Sequence, residues 1–189
     1  FDLVGWSLGG MAATRIATLF PERVRSLVLV ATTPRFVEHR TWPHGMAPDT
    51  LAGFAKQLAK DWKKTVQEFL GLQVRGDEKQ LETLRELKRI VFEHGEPNGA
   101  ALSAGLEILR TADLRDELAR VRAPTFVISG EYDRLTPPGA SDALAAALHA
   151  RHWSVPRAAH APFLAHREEF ARELGAFFAE AAATHAPPV

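Results

Sequence analysis

The chain opens with two nearly continuous apolar runs that bracket a helical segment. Residues 1–6 and 24–32 carry apolar side chains at most positions, and residues 8–20 between them favour a helix that ends at Pro21. Strands that are apolar along their whole length are typical of parallel sheets, which are covered on both faces and joined by helical crossovers. This part of the chain therefore predicts a β-α-β unit of a parallel sheet.

The pattern changes between about residues 34 and 110, a segment that we call the lid. No strand-like run occurs there, and apolar residues recur at the i, i+3 and i+4 spacing of amphipathic helices. The lid is therefore predicted to be all-helical, with helices over 48–60, 61–73, 77–94 and 98–110.

The alternation of strands and helices resumes after the lid. Strands are predicted over 125–129 and 151–155, helices over 137–149 and 166–183, and a frayed tail over 184–189. The sequence as a whole thus predicts an α/β fold with a mostly parallel sheet.

In this prediction, residues 1–33 and 111–189 form one core, and the helical lid (34–110) interrupts it. A first strand that is apolar throughout should have neighbours on both sides. We therefore expect an N-terminal segment with several strands to precede Phe1, so that the chain is an N-terminally truncated part of the fold.

Composition narrows the class of protein. Lys+Arg 23 and Asp+Glu 23 give a formal net charge of zero, without the basic excess of nucleic-acid-binding proteins. The absence of cysteine excludes a disulfide framework and thiolate chemistry. No apolar run is long enough to span a bilayer. We therefore expect a cytoplasmic monomer that binds neither nucleic acid nor membranes.

Ser7 lies where the first predicted strand turns into the first predicted helix, with Gly5 and Gly9 two residues to either side. The pattern G-x-S-x-G in this position is typical of a nucleophile elbow. Glycines let the backbone pass closely, and the serine oxygen then projects from the carboxyl edge of the sheet. The alternative, a glycine-rich turn with an unreactive serine, stays open at this point.

A serine alcohol needs a neighbouring base, and the base needs an acid to orient it. His160 follows the predicted strand 151–155, and Asp133 follows the strand 125–129, so both lie at the carboxyl edge where ligands bind in α/β sheets. The chain order Ser, Asp, His is typical of α/β-hydrolases. Asp133 could instead be a turn residue, which would leave Glu131 as the acid.

Beyond Ser7, Asp133 and His160, the sequence offers no further strong candidates for metal ligands or acid-base catalysts. We expect the other seven histidines to be solvated. No cluster of His, Asp and Glu shows the spacing of metal ligands, so we expect neither a metal nor another cofactor.

Several further segments match motifs of known proteins. They are Gly5-Trp6-Ser7-Leu8-Gly9-Gly10, Pro21-Glu22-Arg23-Val24-Arg25, Lys64-Thr65-Val66, Phe69-Leu70-Gly71-Leu72-Gln73, Gly105-Leu106-Glu107-Ile108-Leu109, Asp113-Leu114-Arg115 and Ala158-Ala159-His160-Ala161-Pro162-Phe163. On these residues the chain resembles the α/β-hydrolase superfamily over its whole length and, within it, the family of pimeloyl-[acyl-carrier protein] methyl ester esterases. The lid segments 69–73 and 105–109 are the more family-specific part.

The resemblance implies a serine carboxylesterase that hydrolyses the methyl ester of pimeloyl-acyl-carrier protein in biotin synthesis, with the carrier protein as its partner. It implies Ser7 as nucleophile, His160 as base, Asp133 as acid and the Leu8 N–H as an oxyanion donor. The substrate-binding residues that it implies are Leu8, Phe69, Leu70, Leu72, Gln73 and His160.

In this family a second oxyanion donor comes from a loop upstream of the elbow. We therefore expect the chain by itself to be weakly active or inactive. The basic excess of the lid, nine Lys and Arg against six Asp and Glu over 56–89, fits either a solvated helix face or a docking surface for an acidic carrier protein.

Two other functions remain open from the sequence. One is a different α/β-hydrolase with the same triad, such as a short-chain ester or lactone esterase, a C–C bond hydrolase or an aminopeptidase. The other is a non-catalytic protein, either a ligand-binding relative or an inert fragment.

Overall fold

The central sheet has four parallel strands in the order β1-β2-β3-β4, in a computed structural model that describes residues 1–93 and 95–184. The strands are β1 (Asp2–Trp6), β2 (Ser26–Val30), β3 (Thr125–Gly130) and β4 (Arg151–Val155). Every residue of β2 and β3 is buried, as expected for central parallel strands covered on both faces. The predicted α/β class with a parallel sheet is thus confirmed.

Eight α-helices and two short 3-10 helices connect or cover the strands in the described residues. The α-helices are α1 (Leu8–Leu19), α2 (Pro48–Lys60), α3 (Trp62–Gln73), α4 (Gln80–Phe92), α5 (Gly99–Thr111), α6 (Pro138–Leu148), α7 (Pro162–Ala165) and α8 (Arg167–Thr184). The 3-10 helices are Pro21–Arg23 and Arg115–Arg120. All four predicted lid helices are present between β2 and β3.

Helices α4 and α7 differ from the sequence prediction. Helix α4 begins at Gln80 rather than at residue 77, because the Asp77 carboxylate accepts a hydrogen bond from the Lys79 N–H in the turn before it. Helix α7 was not predicted, since a single turn of four residues carries no periodic pattern. The predicted helix end at His94 and the tail residues 185–189 lie outside the described residues.

The two faces of the sheet pack against different helices. On one face, Leu27 and Leu29 of β2 pack with Ala13 and Ala17 of α1 and with Leu144 of α6. On the opposite face, the alternate residues of β2 and β3 meet α8 through Val28, Val30, Phe126, Ile128, Phe170 and Phe177. This separation follows from the period of two along a strand, which sends neighbouring side chains to opposite faces.

A third apolar cluster holds the lid over the carboxyl edge of the sheet. It joins Val66, Leu70 and Val74 of the α3 region to Leu87 of α4 and to Ala161, which follows β4. Each fully buried large aliphatic side chain contributes about 1.5–3 kcal/mol to stability. The lid is therefore packed against the core, although its boundaries at residues 34 and 110 stay a prediction. None of the described helices is long and apolar enough to cross a membrane.

Candidate active site

Ser7 occupies the apex of a strained turn between β1 and α1. Its backbone has φ 54° and ψ −123°, in the positive-φ region that non-glycine residues seldom adopt. The turn is held by the Ser7 N–H, which donates to the Val30 carbonyl at 2.9 Å, and by the Thr32 hydroxyl, which donates to the Ser7 carbonyl at 2.7 Å. Gly5 has no room for a Cβ, which would overlap Gly10 Cα at 2.6 Å. The local sequence thus folds into the sharp turn that exposes a serine hydroxyl.

His160 lies between Ser7 and Asp133. Its Nε2 is 2.9 Å from Ser7 Oγ, and its Nδ1 is 2.7 Å from Asp133 Oδ2. An ionised carboxylate can only accept, so the Nδ1–H donates to Asp133, which leaves Nε2 free to accept the Ser7 hydroxyl proton. His160 itself is 1 % exposed. The three side chains predicted from the sequence are therefore brought together in one hydrogen-bonded chain.

Asp133 is buried and saturated with hydrogen bonds. Its Oδ1 accepts from the N–H groups of Leu135 and Thr136 at 2.8 and 3.0 Å, and its Oδ2 also accepts from the Thr136 hydroxyl at 2.6 Å. Burial alone raises the pKa of this carboxyl, but the charge and hydrogen bond of His160 and the Thr136 donors hold the pKa below its ordinary value. Asp133 thus stays ionised and fixes the tautomer and orientation of His160.

Close packing of two loops places the acid next to the base. A Cβ on Gly130, at the end of β3, would lie 2.6 Å from the Ala158 carbonyl oxygen. The same carbonyl accepts from the Tyr132 N–H at 2.9 Å. Glu131, the alternative acid, is exposed and instead accepts from the Arg157 N–H at 2.8 Å. The geometry therefore favours Asp133 over Glu131 as the partner of His160.

A cavity of about 340 Å³ opens beside Ser7, between the elbow and the lid. Its lining is almost entirely apolar and comes from the elbow and from α2, α3 and α5. The lining residues are Trp6, Ser7, Leu8, Phe54, Leu58, Thr65, Val66, Phe69, Gln73, Ala101, Leu102, Gly105, Leu106 and Leu109. A cavity of this size and polarity is typical of a small-ligand site.

The structure separates the substrate-binding residues suggested by resemblance into two groups. Leu8, Phe69 and Gln73 line the cavity, and His160 adjoins it through Ser7. Leu70 and Leu72 are not among its lining residues, and their contact with a substrate stays a prediction. Leu70 is 3 % exposed and packs in the lid cluster, because neighbouring positions on a helix face different directions.

Gln73 is a buried polar group in an otherwise apolar wall. The residue is 5 % exposed, and its Oε1 has no hydrogen-bond partner in the described part of the chain. An unpaired buried polar atom is costly, and in a cavity it is available to a ligand. Trp6 also lines the cavity, and its Nε1–H donates to the His160 carbonyl at 2.8 Å.

The face of α5 is the part of the cavity that sequence reasoning missed. Five lining residues come from it, at the helical spacings of one, three and four: Ala101, Leu102, Gly105, Leu106 and Leu109. Two of them are small and weakly apolar, so the helical stripe is faint. The periodic apolar positions of α5 were nevertheless a usable signal, since one helix face must turn toward the core.

The Leu8 N–H is the candidate oxyanion donor of the site. Leu8 is the first residue of α1, and the first N–H groups of a helix have no partner within it. The positive end of the helix dipole adds to the attraction for a developing negative charge beside Ser7.

Two other histidines are less exposed than predicted. His152 of β4 has its Nε2 3.0 Å from the Ser129 hydroxyl and its Nδ1 3.2 Å from Asp142. The His166 side chain is 11 % exposed and lies 3.4 Å from Glu78. Both are held by sheet or helix contacts away from Ser7, while His94 and His185 lie outside the described residues. Within residues 1–93 and 95–184, no three His, Asp or Glu side chains converge as a metal site would require.

Comparison with known proteins agrees with this geometry. A family model described as alpha/beta hydrolase fold matches residues 1–166. A protein from Nitrosomonas europaea is 46% identical over 171 residues, 90% of this chain and 68% of that protein. One from Yersinia enterocolitica is 44% identical over 170 residues, 89% of this chain and 66% of its own. Both are named pimeloyl-[acyl-carrier protein] methyl ester esterase.

Solved structures show the same fold at lower sequence identity. An esterase from Exiguobacterium antarcticum superposes with a TM-score of 0.79 at 20% identity, over 93% of this chain and 65% of that one. A bromoperoxidase from Bacillus anthracis superposes with a TM-score of 0.81 at 21% identity, over 93% and 66%. The chain spans about two thirds of the length of these relatives. It belongs to the α/β-hydrolase fold family.

Proposed function

We propose that this chain supplies the catalytic serine, base and acid of a carboxylesterase that hydrolyses the methyl ester of pimeloyl-acyl-carrier protein. The observation that carries the proposal is the 2.9 Å contact between Ser7 Oγ and His160 Nε2, backed by Asp133 and opening on an apolar cavity. The printed names of relatives at 46% and 44% identity support the choice of substrate.

In the first half of the reaction, Ser7 Oγ attacks the ester carbonyl while His160 Nε2 takes its proton. The ionised Asp133 stabilises the imidazolium that forms. The Leu8 N–H donates to the oxyanion of the tetrahedral intermediate, and a preorganised donor of this kind is worth about 10²–10³ in rate. His160 then gives the proton to the departing methoxide, so that methanol leaves and an acyl-Ser7 ester remains.

In the second half, His160 removes a proton from water, and the resulting hydroxide attacks the acyl-Ser7 carbonyl. The tetrahedral intermediate collapses, the proton returns to Ser7 Oγ, and the free carboxylic acid is released. No cofactor takes part in this scheme.

The cavity supports an acyl chain as the bound group. Its apolar walls match a run of methylenes, and the unpaired Gln73 Oε1 can accept a hydrogen bond from an N–H or O–H of a bound substrate. Leu8 and Phe69 remain proposed contacts of the acyl chain.

An acyl-carrier protein is the proposed partner, and the basic residues of the lid are its proposed docking surface. Some of these charges are already paired within the lid, as in Lys63 with Glu96 at 2.5 Å and Arg89 with Glu86 at 2.9 Å. Ion pairs of exposed side chains are weak and can exchange partners at little cost. That the protein is a cytoplasmic monomer stays a prediction.

The decisive experiment measures hydrolysis of pimeloyl-acyl-carrier methyl ester by the full-length protein and by its Ser7→Ala variant. Ser103→Ala, on the exposed side of α5, is the matched control. We expect Ser7→Ala to lower kcat by on the order of 10⁴–10⁶ and Ser103→Ala to leave it unchanged.

Two outcomes would separate the proposed substrate from the proposed nucleophile. Turnover of short p-nitrophenyl esters without turnover of the carrier ester would keep an esterase and reject the substrate. Full activity in Ser7→Ala would reject Ser7 as the nucleophile.

A further inference from the structure

Helix α5 of the lid approaches the nucleophile elbow at Gly105. A Cβ placed on Gly105 would lie 3.3 Å from Leu8 Cδ2, tighter than ordinary van der Waals contact between carbon atoms. Leu8 follows Ser7 and carries the proposed oxyanion N–H. The absence of a side chain at position 105 therefore brings the lid and the reacting centre together.

Glycine is an unfavourable residue at position 105 because of its low helix propensity. It lies in the interior of a helix that runs Gly99–Thr111, where glycine is a poorer choice than alanine. Such a residue often has a packing or functional reason. Gly53 and Gly71, in the interiors of α2 and α3, have nothing within 4 Å of the place where a Cβ would stand. Among the three glycines in the interiors of lid helices, close approach is thus a property of Gly105 alone.

Gly105 also lies in the middle of the α5 face that lines the cavity. Ala101 and Leu109, one turn to either side, line it together with Leu102 and Leu106. A side chain at position 105 would therefore extend into the cavity or press on Leu8. The space that glycine leaves open is continuous with the space beside Ser7.

We propose that Gly105 determines acyl-chain specificity by keeping open the passage between α5 and Leu8 through which the chain reaches Ser7. The inference rests on the proposed esterase function and adds a specificity-determining residue to it. An unbranched acyl chain of several methylenes occupies the passage. A substrate with only an acetyl group does not extend into it.

The test compares Gly105→Ala and Gly105→Leu with Gly71→Ala in the full-length protein. Gly71→Ala makes the same change in a lid helix at a site with open space. The readout is kcat/KM for p-nitrophenyl esters of two, four, six and eight carbons. One methylene in an apolar pocket is worth about 10–200-fold in discrimination. We expect Gly105→Leu to lower the octanoate-to-acetate ratio about a hundredfold and Gly105→Ala about tenfold, with the ratio unchanged in Gly71→Ala.

An equal loss on all four esters would overturn the proposal, since it would mean that position 105 acts on the elbow and not on acyl selection. An unchanged ratio in both Gly105 variants would overturn it as well. Retained acetate hydrolysis shows that a variant is folded, and Gly105→Ala is the milder change if the leucine variant does not fold.

A binding measurement keeps this inference separate from the esterase proposal. Titration calorimetry of octanoate and acetate against Ser7→Ala, with and without Gly105→Leu, needs no turnover. We expect Ser7→Ala to bind octanoate more tightly than acetate, and the added leucine to remove that preference. Failure of every ester in the wild type would reject the esterase alone, whereas equal octanoate binding with and without Gly105→Leu would reject the passage.

Discussion

The backbone N–H of His160 donates to the carbonyl oxygen of Gln73 at 2.9 Å, so the last turn of α3 holds the loop that carries the base. A second backbone hydrogen bond joins the lid to the same loop. The Glu78 N–H donates to the Arg157 carbonyl at 3.0 Å, on the same loop. Because Gln73 also faces the cavity, one residue touches both the proposed acyl site and the backbone of the base.

Asp77 is a buried carboxylate that strengthens this attachment. It is 6 % exposed, accepts from the Lys79 N–H at 2.7 Å and lies 3.4 Å from the Ala159 N–H, next to His160. Asp77→Ala leaves these donors without an acceptor, which costs about 1–3 kcal/mol for each buried group. We expect a lower free energy of unfolding in urea and a kcat reduced about tenfold, because small displacements of a catalytic group are costly in rate.

Asp77→Asn is the milder variant, because its amide keeps one acceptor oxygen but turns an NH₂ donor toward the other of the two backbone N–H groups. We expect its kcat to lie between those of the wild type and Asp77→Ala, and KM should change little in either variant. A loss that appears only in KM would show that Asp77 acts on substrate binding and not on the position of His160.

Gln73 places an unpaired oxygen in the apolar cavity, and its replacement should separate stability from activity. Gln73→Met keeps a similar length and removes the buried amide. We expect the free energy of unfolding to stay equal or to rise by about 1 kcal/mol, because an unsatisfied buried group is lost. If the amide bonds the substrate, kcat/KM for the carrier ester should fall about tenfold, which is the worth of one hydrogen bond.

The same Gln73→Met variant should hydrolyse p-nitrophenyl acetate at the wild-type rate, since a two-carbon acyl group does not reach the amide. Equal losses on the acetate and on the carrier ester would argue that the substitution disturbs the carbonyl contact with His160. Thermal unfolding and steady-state kinetics together distinguish these results.

Local patterns were sufficient to predict the elbow, the parallel strands and the four lid helices. Ser7 between Gly5 and Gly9 defines its own turn, and the continuous apolar run of β2 predicted a strand covered on both faces, as its full burial confirms. The meeting of Ser7 with His160, 153 positions apart, followed from one more rule, that parallel strands end at a common edge. The roles of the three triad residues stay a proposal.

What the sequence did not predict depends on the direction in which side chains point. Leu70 and Leu72 were assigned to the substrate site with Phe69 and Gln73 because they share one motif, but only the latter two line the cavity. A short motif gives the identity of its residues but not the direction in which each side chain of the helix points. That direction is set by the packing of α3 against α4 and the His160 loop. The place of Gly105 in the cavity wall was missed because a glycine adds nothing to an apolar pattern.

Trp6 links the elbow to the base by a hydrogen bond from its indole to the His160 carbonyl at 2.8 Å. Trp6→Phe keeps an aromatic ring, which packs against Phe163 at 5.1 Å between centroids, and removes the donor. Loss of one hydrogen bond lowers stability by about 0.5–1.5 kcal/mol. Since each kcal/mol corresponds to about 2–4 °C in a domain of this size, we expect Tm to fall by a few degrees. We also expect a several-fold fall in kcat, because His160 is held less firmly.

Trp153→Phe tests whether the effect is specific to Trp6. Trp153 lies on β4 and packs against Phe170 at 6.4 Å between centroids, away from the triad. It should lower Tm without changing kcat. Wild-type kcat in Trp6→Phe would show that the indole hydrogen bond does not position the base.

The lowered pKa of Asp133 predicts how stability depends on pH. Its pKa is below the ordinary value of 3.8, because contacts with His160 and Thr136 outweigh the effect of burial. A group whose pKa is lowered by folding stabilises the protein above its unfolded pKa, and that contribution is lost as the pH falls through the folded pKa. We therefore expect the stability advantage of the wild type over Asp133→Asn to shrink as the pH falls from about 5 toward 2.

Urea unfolding of both proteins at a series of pH values measures this difference directly, and the other carboxylates cancel because the two proteins share them. Asp133→Asn should also lower kcat by about 10⁴, since an amide cannot hold the Nδ1–H tautomer or stabilise the imidazolium. Asp49→Asn, on the exposed first turn of α2, provides the control for removing one carboxylate. An advantage that stays constant down to pH 2 would contradict a lowered pKa, and a small loss of kcat would contradict Asp133 as the acid.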